Sequence, residues 1–341
     1  MRRAIARLPD GVYRAETAID GYLDSDDPGK KELPIVVTLT KKDDGLVVDL
    51  TGTAPQVPDR PINMPLEGTA DIAIWLTIRS VLLDTEVHGH IPVNAGLIRP
   101  ITIVAPKGCL ANPTFPAPTI ARFCPGNQLA DTVMKALSQP MPDNVSAGIG
   151  NLKVIAFSGL ANETHWVHME IFEGSYGGRH GKDGMDAVDT LYANTRNNPI
   201  EDIETHLPLR VLRYELREDV AGAGKWRGGL GSVREFAFLS DGGASVEGEG
   251  HRYRPWGFLG GGEGMPAKLD LVTAAGSRAL PSKVPHMNIA KDGRFICYGP
   301  AGGGYGNPLE RDTRRVADDV LDGVITIETA LRDYGVVVSA K

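Results

Sequence analysis

Residues 170–231 read EIFEGSYGGRHGKDGMDAVDTLYANTRNNPIEDIETHLPLRVLRYELREDVAGAGKWRGGLG. In this stretch a strand-like segment ends in a glycine-rich turn, two glutamates follow Asn197-Asn198-Pro199, and Lys225-Trp226-Arg227 stands between glycine pairs. Glycine loses more conformational entropy on folding than any other residue, so glycines beside fixed charges indicate backbone that bends sharply or approaches another group closely. The stretch therefore predicts a site, but no particular reaction.

The composition of the 341 residues is that of an ordinary globular protein. Hydrophobic residues make up 42% and charged residues 23%, which argues against wholesale disorder. The net charge of -7, without a basic stripe, argues against nucleic acid or an anionic membrane as the main partner. No run approaches the roughly 20 apolar residues of a spanning helix, and no signal peptide follows Met1. We therefore expect a cytoplasmic protein without a membrane partner.

Cysteine usage agrees with that location. Cys109, Cys124 and Cys297 are odd in number, far apart in the chain and never arranged as CxxC. The pattern favours reduced thiols over a disulfide framework or a structural zinc ribbon.

Hydrophobic patterning predicts an α+β fold with mixed, largely antiparallel sheets, packed helices and long Gly- and Pro-rich loops. A hairpin is expected around Asp43-Asp44-Gly45, and Thr69 is expected to cap a helix over residues 70–83. The patterning leaves open a possible boundary within the domain near residues 140–150. The remaining expected elements are helices at 127–137 and 326–334, strands at 101–104, 153–158, 165–172, 212–216 and 233–239, and a surface loop over 241–264. The strand at 212–216 is expected to be half-buried.

The sequence matches neither the P-loop pattern nor the GxGxxG dinucleotide-binding pattern. Gly222-Ala223-Gly224-Lys225 resembles the end of a P-loop, but Asp219 stands five residues before Gly224, and Trp226 stands where Ser or Thr coordinates magnesium. No GxGxxG lies between a predicted strand and a helix. Any nucleotide is therefore expected to be held by another polypeptide.

Histidine spacing does not predict a metal site. Strand alternation places His168 and Glu170 on one face with Trp166 and Phe172, and it sends His165 to the other face. A packed, hydrogen-bonded His168 is favoured over a ligand. The pair His88 and His90 lies in a loop, where solvated side chains are the simpler interpretation.

Several charged residues of the central stretch leave two interpretations open. Asp183, Asp186 and Asp189 would form an acidic edge on a helix, either as a cation site or as a charged first turn. Glu201 and Glu204, behind Pro199, would be neighbours on a helix face, suited to acid–base work or to capping. Lys225 and Arg227 would recognise an anion or a subunit, or simply belong to a hairpin.

The central motifs resemble those of the hydantoinase B family, the B-type subunits of ATP-dependent hydantoinases, 5-oxoprolinases and related ketone carboxylases. The carrying sequences are GKDGMDAVDTLYANTRNNPIEDIE at 181–204, REDVAGAGKWRGGLG at 217–231, RPWGFLGG at 254–261 and GPAGGGYGNPLERD at 299–312. Supporting sequences are LPDGVY at 8–13, VDLTGTAPQ at 48–56, VNAGLIRPI at 93–101 and YGVVV at 334–338, and together the motifs cover essentially the whole chain in the family's order. The resemblance implies one hydantoinase B-like domain over residues 1–341.

The resemblance also implies a difference from the family. Family members begin with a long segment whose His-His-Ala-Asp-type motif contributes to a divalent metal site, and no such motif precedes LPDGVY at 8–13. We therefore expect a chain shortened at its amino terminus, with the metal held by the upstream segment and its identity unknown. An A-type partner is expected to bind ATP-Mg and to phosphorylate the substrate oxygen, after which a B-type chain completes hydrolysis or carboxylation.

These implications predict a B-type subunit of an ATP-dependent cyclic amidase that opens hydantoin or 5-oxoproline rings in a hetero-oligomer and is inactive alone. The alternatives are a subunit of an acetone or acetophenone carboxylase and a non-catalytic structural subunit. The expected contributors to the shared site are Glu170, Asp183, Asp186, Asn194, Asn198, Glu201 and Glu204, and the second set, for a partner or an anion, is Lys225 and Arg227.

Overall fold

The computed structural model describes residues 1–22, 25–161 and 163–339, and the chain divides into two compact units. Unit 1 comprises Met1–Gly21, Pro28–Val145 and Leu191–Ala193, and unit 2 comprises Tyr22–Asp27, Ser146–Thr190 and Asn194–Lys341. The predicted α+β class is confirmed. Among the described residues, no helix combines the length and the hydropathy that a membrane crossing requires.

Unit 1 is built on a four-stranded sheet of order β1-β2-β3-β4, in which only β3 and β4 are parallel. Its strands are β1 (Gly11–Asp20), β2 (Glu32–Lys42), β3 (Gly45–Asp49) and β4 (Ile101–Val104). Its helices are α1 (Arg2–Ile5), α2 (Pro28–Lys31), α3 (Asp71–Leu82), α4 (Thr85–His88) and α5 (Phe123–Leu137). The predicted hairpin is confirmed as β2 and β3, with Lys42 opposite Gly45. Helix α5 lies against β1, where Thr132 Oγ1 is 2.6 Å from Thr17 Oγ1.

The start of α3 corrects one prediction. Thr69 does not cap the helix, because it lies inside an irregular π-type turn, Leu66–Ala70, that brings Gly68 to a φ of 82°. The Asp71 carboxylate accepts a hydrogen bond from Gly68 N at 2.8 Å and holds this turn, while Ala70 occupies the N-cap position of α3 without a side-chain capping bond. Helix α5 begins at Phe123, four residues before the predicted start, and a 3-10 turn, Pro142–Asn144, follows it.

Unit 2 contains two antiparallel sheets, of order β12-β9-β5-β6 and β11-β10-β13-β8-β7. Their strands are β5 (Lys153–Ala161), β6 (Thr164–Phe172), β7 (Leu209–Leu216), β8 (Ser232–Phe238), β9 (Gly242–Gly248), β10 (Lys268–Thr273), β11 (Gly276–Ala279), β12 (Lys283–Ile289) and β13 (Arg294–Tyr298). The helices are α6 (Ile200–His206), α7 (Thr313–Leu321) and α8 (Ile327–Tyr334), with a 3-10 turn at Pro308–Glu310. The sheets share one core, since the Phe157 ring of one sheet lies 5.3 to 5.6 Å from Phe236, Phe238 and Phe295 of the other.

Two predictions for this unit were wrong. Part of the loop expected at 241–264 is strand β9, which lies between β12 and β5 and whose small residues fit a crowded central position. Strand β7 is not half-buried, because it forms the edge of its sheet. Its side chains Leu212, Tyr214 and Leu216 are all exposed.

The remaining glycine-rich segments of unit 2 pack against one another, and we call them the glycine stack. They are residues 146–150, 174–178, 222–231, 255–264 and 299–306. Backbone hydrogen bonds join them, for example from Gly178 N to Gly303 O at 2.8 Å and from Gly303 N to Gly148 O at 2.9 Å. A Cβ on Gly228 would collide with the carbonyl oxygen of Gly302. The predicted close approach is confirmed, and its partner is other backbone of the same unit.

Candidate functional site

Strand β6 contributes the first two side chains of the candidate site. As predicted, His168 and Glu170 share a face with Trp166 and Phe172, and His168 Nε2 lies 2.5 Å from Glu170 Oε2. Glu170 is only 3% exposed. A carboxylate buried to this degree requires compensation by a cation or by hydrogen bonds.

Arg234 on β8 supplies that compensation. Its Nη1 donates to Glu170 Oε1 at 3.1 Å, and its Nη2 donates to Glu173 Oε1 at 2.5 Å. The hydroxyl of Tyr214 on β7 accepts from Nη2 at 2.6 Å, while the Tyr214 ring centroid lies 4.1 Å from the guanidinium carbon. We define the Arg234 cluster as these residues together with Asp189, namely His168, Glu170, Glu173, Asp189, Tyr214 and Arg234.

Two asparagines border the Arg234 cluster. Asn197 Oδ1 accepts a hydrogen bond from Arg234, and Asn197 Nδ2 donates to the Tyr214 hydroxyl. Asn198 Nδ2 lies 3.4 Å from Glu170 Oε2. The structure therefore brings together two predicted site residues, Glu170 on β6 and Asn198 just before α6.

The cluster contains more acid than base. Glu170, Glu173 and Asp189 face a single guanidinium, and the antiparallel bridge between Gly174 and Val188 places residues 173 and 189 side by side. Within the described part of the chain, Glu173 Oε2 and both carboxylate oxygens of Asp189 are buried without a hydrogen-bond partner. Either carboxyl group can therefore take up a proton or accept a hydrogen bond from a water molecule.

The pKa values follow from this imbalance. Burial raises the pKa of Glu173 to about 7, with Asp189 and Glu170 adding to the rise and Arg234 opposing it. Although Arg234 Nη2 is 2.5 Å away, burial outweighs the attraction because the guanidinium is shared with Glu170. Burial also raises the pKa of Asp189. A carboxyl group that exchanges its proton near neutral pH is suited to acid–base chemistry.

Asp183 and Asp186 lie in a different group, which we call the Arg311 network. Asp183 receives Arg311 Nη1 at 2.7 Å and Nη2 at 3.0 Å, and Asp319 receives Nη2 at 2.8 Å. Arg227 joins the network through Asp186 at 3.1 Å and Asp319 at 3.3 Å. Every carboxylate here has a cation, as expected of a structural ion-pair network.

The helix considered for Asp183, Asp186 and Asp189 is absent from the described chain, where residues 181–198 are irregular. The reason is local, because Asp183 and Asp186 bond to backbone of the glycine stack instead of lying along a helix edge. Asp183 Oδ1 accepts from Arg227 N at 2.9 Å, and Asp186 Oδ1 accepts from Leu230 N at 2.7 Å. Short acidic side chains commonly compete with helical hydrogen bonding in this way.

The other predicted site residues lie apart from these contacts. Glu204 Oε1 accepts from Val211 N at 2.9 Å, so it ties α6 to β7, whereas Glu201 is exposed in the first turn of α6. Asn194 is exposed. Lys225 forms an exposed ion pair with Glu310 at 3.1 Å.

Sequence reasoning did not find Glu173, Asn197, Tyr214 and Arg234 as site residues. One signal was present, because Arg234 and Glu235 interrupt an otherwise apolar strand, and both are buried. Charged residues are almost never fully buried unless they are paired. Tyr214 and Asn197 carried no comparable signal.

Metal binding does not fit this chain's described residues, among which no three His, Cys, Asp or Glu side chains are grouped to hold an ion. Cys109, Cys124 and Cys297 are buried free thiols, spread over both units.

Comparison with known proteins gives consistent similarities. The family described as Hydantoinase B/oxoprolinase matches residues 1–308. A protein from Pseudomonas sp. (strain NS671), provisionally named as the B-type subunit of a D-/L-hydantoinase, is 62% identical over 99% of this chain and 58% of its own length.

Two solved structures resemble this chain with a TM-score of 0.84. One is the ATP-dependent caprolactamase from Pseudomonas jessenii, 26% identical over 99% of this chain and 59% of that chain. The other is a nucleotide-free acetone carboxylase, which at 18% identity, over 99% of this chain and 51% of that chain, shows the fold alone. The chain thus spans between half and three-fifths of the length of these relatives.

Proposed function

This chain belongs to the hydantoinase B/oxoprolinase family, and we propose that it is the B-type subunit of an ATP-dependent cyclic amidase that works with an A-type, ATP-binding subunit. The 62% identity to a B-type hydantoinase subunit, over 99% of this chain, carries the proposal. The acetone carboxylase shares the fold at only 18% identity, so its chemistry receives no comparable support.

The proposed substrate is a hydantoin-like or 5-oxoproline-like ring. Hydantoin and caprolactam, which appear in the names of two relatives, both contain a cyclic amide bond. An amide carbonyl is a poor electrophile, and phosphorylation of its oxygen supplies a leaving group. ATP is the natural phosphate donor in an ATP-dependent enzyme. Because this sequence has no P-loop, ATP-Mg is assigned to the A-type partner.

We propose that this chain contributes the Arg234 cluster to the reaction. Glu173 holds or releases a proton near neutral pH, and Arg234 fixes the position of Glu170 beside Asn198. Asn194 and Glu201 are exposed near the same loop and remain proposed contacts, as does Lys225 for a partner or an anion. Asp183, Asp186, Glu204 and Arg227 are proposed to support the site through structure, since their polar groups are paired.

A divalent metal is assigned no role on these residues, since the described side chains do not form a ligand set. We also propose a cytoplasmic location, because three free thiols without a disulfide are typical of a reducing compartment.

The test is reconstitution with an A-type subunit. ATP hydrolysis and ring opening are measured together, with a panel of hydantoins, 5-oxoproline, caprolactam and ketones with bicarbonate. The expected result is ATP-coupled opening of a cyclic amide by the pair and none by either chain alone. Turnover only with a ketone and bicarbonate, and with none of the cyclic amides, would assign the chain to the carboxylases. Ring opening by the purified chain without a partner would contradict the proposed division of labour.

A further inference from the structure

Unit 1 contains a cavity with an unusually basic lining. It measures about 570 Å³, and its charged lining residues are all basic or imidazole side chains. They are Arg2, Arg3, Arg7, Arg99, His88 and His90. The whole chain has 43 acidic residues against 36 lysines and arginines. A cavity lined by four arginines and no carboxylate therefore carries a charge opposite in sign to the net charge of the chain.

One wall of the cavity is held by the first helix. Ala4, Ile5 and Leu8 are buried and anchor the segment against unit 1. Arg3, in α1, and Arg7, in the turn that follows it, are both exposed and line the cavity.

A second wall comes from His88, the last residue of α4, and from the segment that joins α4 to β4. Arg99 precedes Pro100, whose carbonyl oxygen accepts a hydrogen bond from Leu46 N at 2.9 Å. His88 Nδ1 donates to Asp84 O at 3.1 Å, so its other ring nitrogen remains available. Ordered backbone thus supports the basic side chains on both walls.

The arginines differ in how they are compensated. Arg2 is tied to Asp44 at 2.9 Å. Arg3, Arg7 and Arg99 form no ion pair with any residue that the structure describes. Arg3, Arg7 and Arg99 are exposed and line the same cavity, so an anion bound there would be attracted by three unpaired guanidinium groups.

We propose that this cavity binds a small phosphate-bearing anion. The planar guanidinium fork matches the oxygen pairs of phosphate, and several forks can engage one polyphosphate. The volume of about 570 Å³ lies in the range of roughly 300 to 1,000 Å³ that is common for small-ligand sites. The inference concerns unit 1 alone and does not depend on the amidase proposal.

The test uses the full chain and inorganic pyrophosphate in calorimetric titrations at low salt. The expected result is saturable binding that weakens as ionic strength rises. The double substitution Arg7→Ser with Arg99→Ser is expected to weaken binding at least tenfold. The matched control, Arg278→Ser, changes an exposed arginine of β11 in unit 2 and is expected to leave binding unchanged. Circular dichroism and melting temperature establish that each variant is folded.

Two further ligands sharpen the outcome. ADP distinguishes a nucleotide source from free phosphate, because tighter binding of ADP than of pyrophosphate would show that the base is recognised as well. Citrate tests phosphate selectivity, and citrate binding as tight as pyrophosphate binding would overturn the phosphate assignment. The proposal also fails if pyrophosphate does not saturate the wild-type chain, or if the folded double variant binds it as tightly as the wild type does.

Discussion

The guanidinium of Arg234 pairs with two buried glutamates, Glu170 and Glu173, between the two sheets of unit 2. Removing one member of a buried ion pair leaves a charge without compensation, which typically costs about 3 to 5 kcal/mol. We expect Arg234→Met to lower the free energy of unfolding by about that amount, measured by urea denaturation. Arg332, whose side chain is 65% exposed beside Asp333, is the control, and Arg332→Met should cost less than about 1 kcal/mol. Equal losses of unfolding free energy in the two variants would show that Arg234 does not compensate buried charge in the cluster.

The raised pKa of Glu173 predicts a pH dependence of stability. Its ordinary value is 4.5 and its folded value is about 7, so between these pH values the folded chain holds a proton that the unfolded chain releases. The free energy of unfolding therefore falls as pH rises through this window, by about 3 kcal/mol for a shift of this size. Below pH 4.5 and above pH 7 the Glu173 contribution is constant.

The measurement compares wild type with Glu173→Gln across this window. His251 contributes a pH dependence of the opposite sign to that of Glu173. Burial lowers the pKa of His251 to about 2, so its contribution to stability is lost as pH falls below 6.5. Only the difference between variant and wild type isolates Glu173. The two profiles should diverge steadily from pH 4.5 to 7, and parallel profiles would mean that Glu173 does not carry the proton.

At the residue scale, the sequence predicted neighbours within a strand but not partners across sheets. Alternation correctly placed His168 beside Glu170, because that relation depends only on the pleat. The Glu170–Arg234 pair joins residues 64 positions apart on different sheets, so it depends on how the sandwich closes. No local pattern contains that information.

Helix α6 carries two glutamates in different environments, because Glu204 forms a structural hydrogen bond and Glu201 is exposed. Glu204 accepts a backbone hydrogen bond from Val211, and loss of such a bond costs about 1 kcal/mol. We therefore expect Glu204→Ala to destabilise the chain by about that amount and Glu201→Ala to change stability by less than about 0.5 kcal/mol. Chemical denaturation of both variants measures the difference.

The same pair tests the site assignment in the reconstituted complex. A tenfold loss of turnover in Glu201→Ala without a lower Tm, equivalent to about 1.4 kcal/mol of transition-state stabilisation, would support a site role for Glu201. Parallel losses of turnover and stability would make α6 a scaffold.

At the element scale, prediction succeeded where periodicity was strong and failed where backbone contacts decided. The β2–β3 hairpin and the core of α5 followed from local patterns. The aspartates at 183 and 186 suggested helical spacing, but the glycine stack offered backbone donors instead. Strand β7 alternates apolar and polar residues in its sequence, yet from Leu212 onward both of its faces are exposed at the edge of the sheet.

Across the whole molecule, the glycine stack is predicted to tolerate few side chains. Gly228→Ala would force a Cβ onto the Gly302 carbonyl, and backbone cannot move aside as a side chain can. Overpacking typically costs about 1 to 3 kcal/mol, and we expect at least the upper value here. Gly262→Ala is the matched control inside the same stack, because its nearest neighbour would be Ala223 N at 3.4 Å. Thermal unfolding of both variants should separate them clearly, and equal melting temperatures would contradict tight packing.

The glycine stack also has a consequence for solvent. Much of it belongs to neither helix nor strand, so its amides would ordinarily be expected to exchange with deuterium within seconds. Here they donate to carbonyls of neighbouring segments, such as Gly222 N to Gly302 O at 2.9 Å and Gly229 N to Tyr176 O at 2.8 Å. Exchange at such amides requires opening of several segments at once. Deuterium uptake there should be as slow as in β5 and β8, which would make irregular backbone one of the most protected parts of the chain.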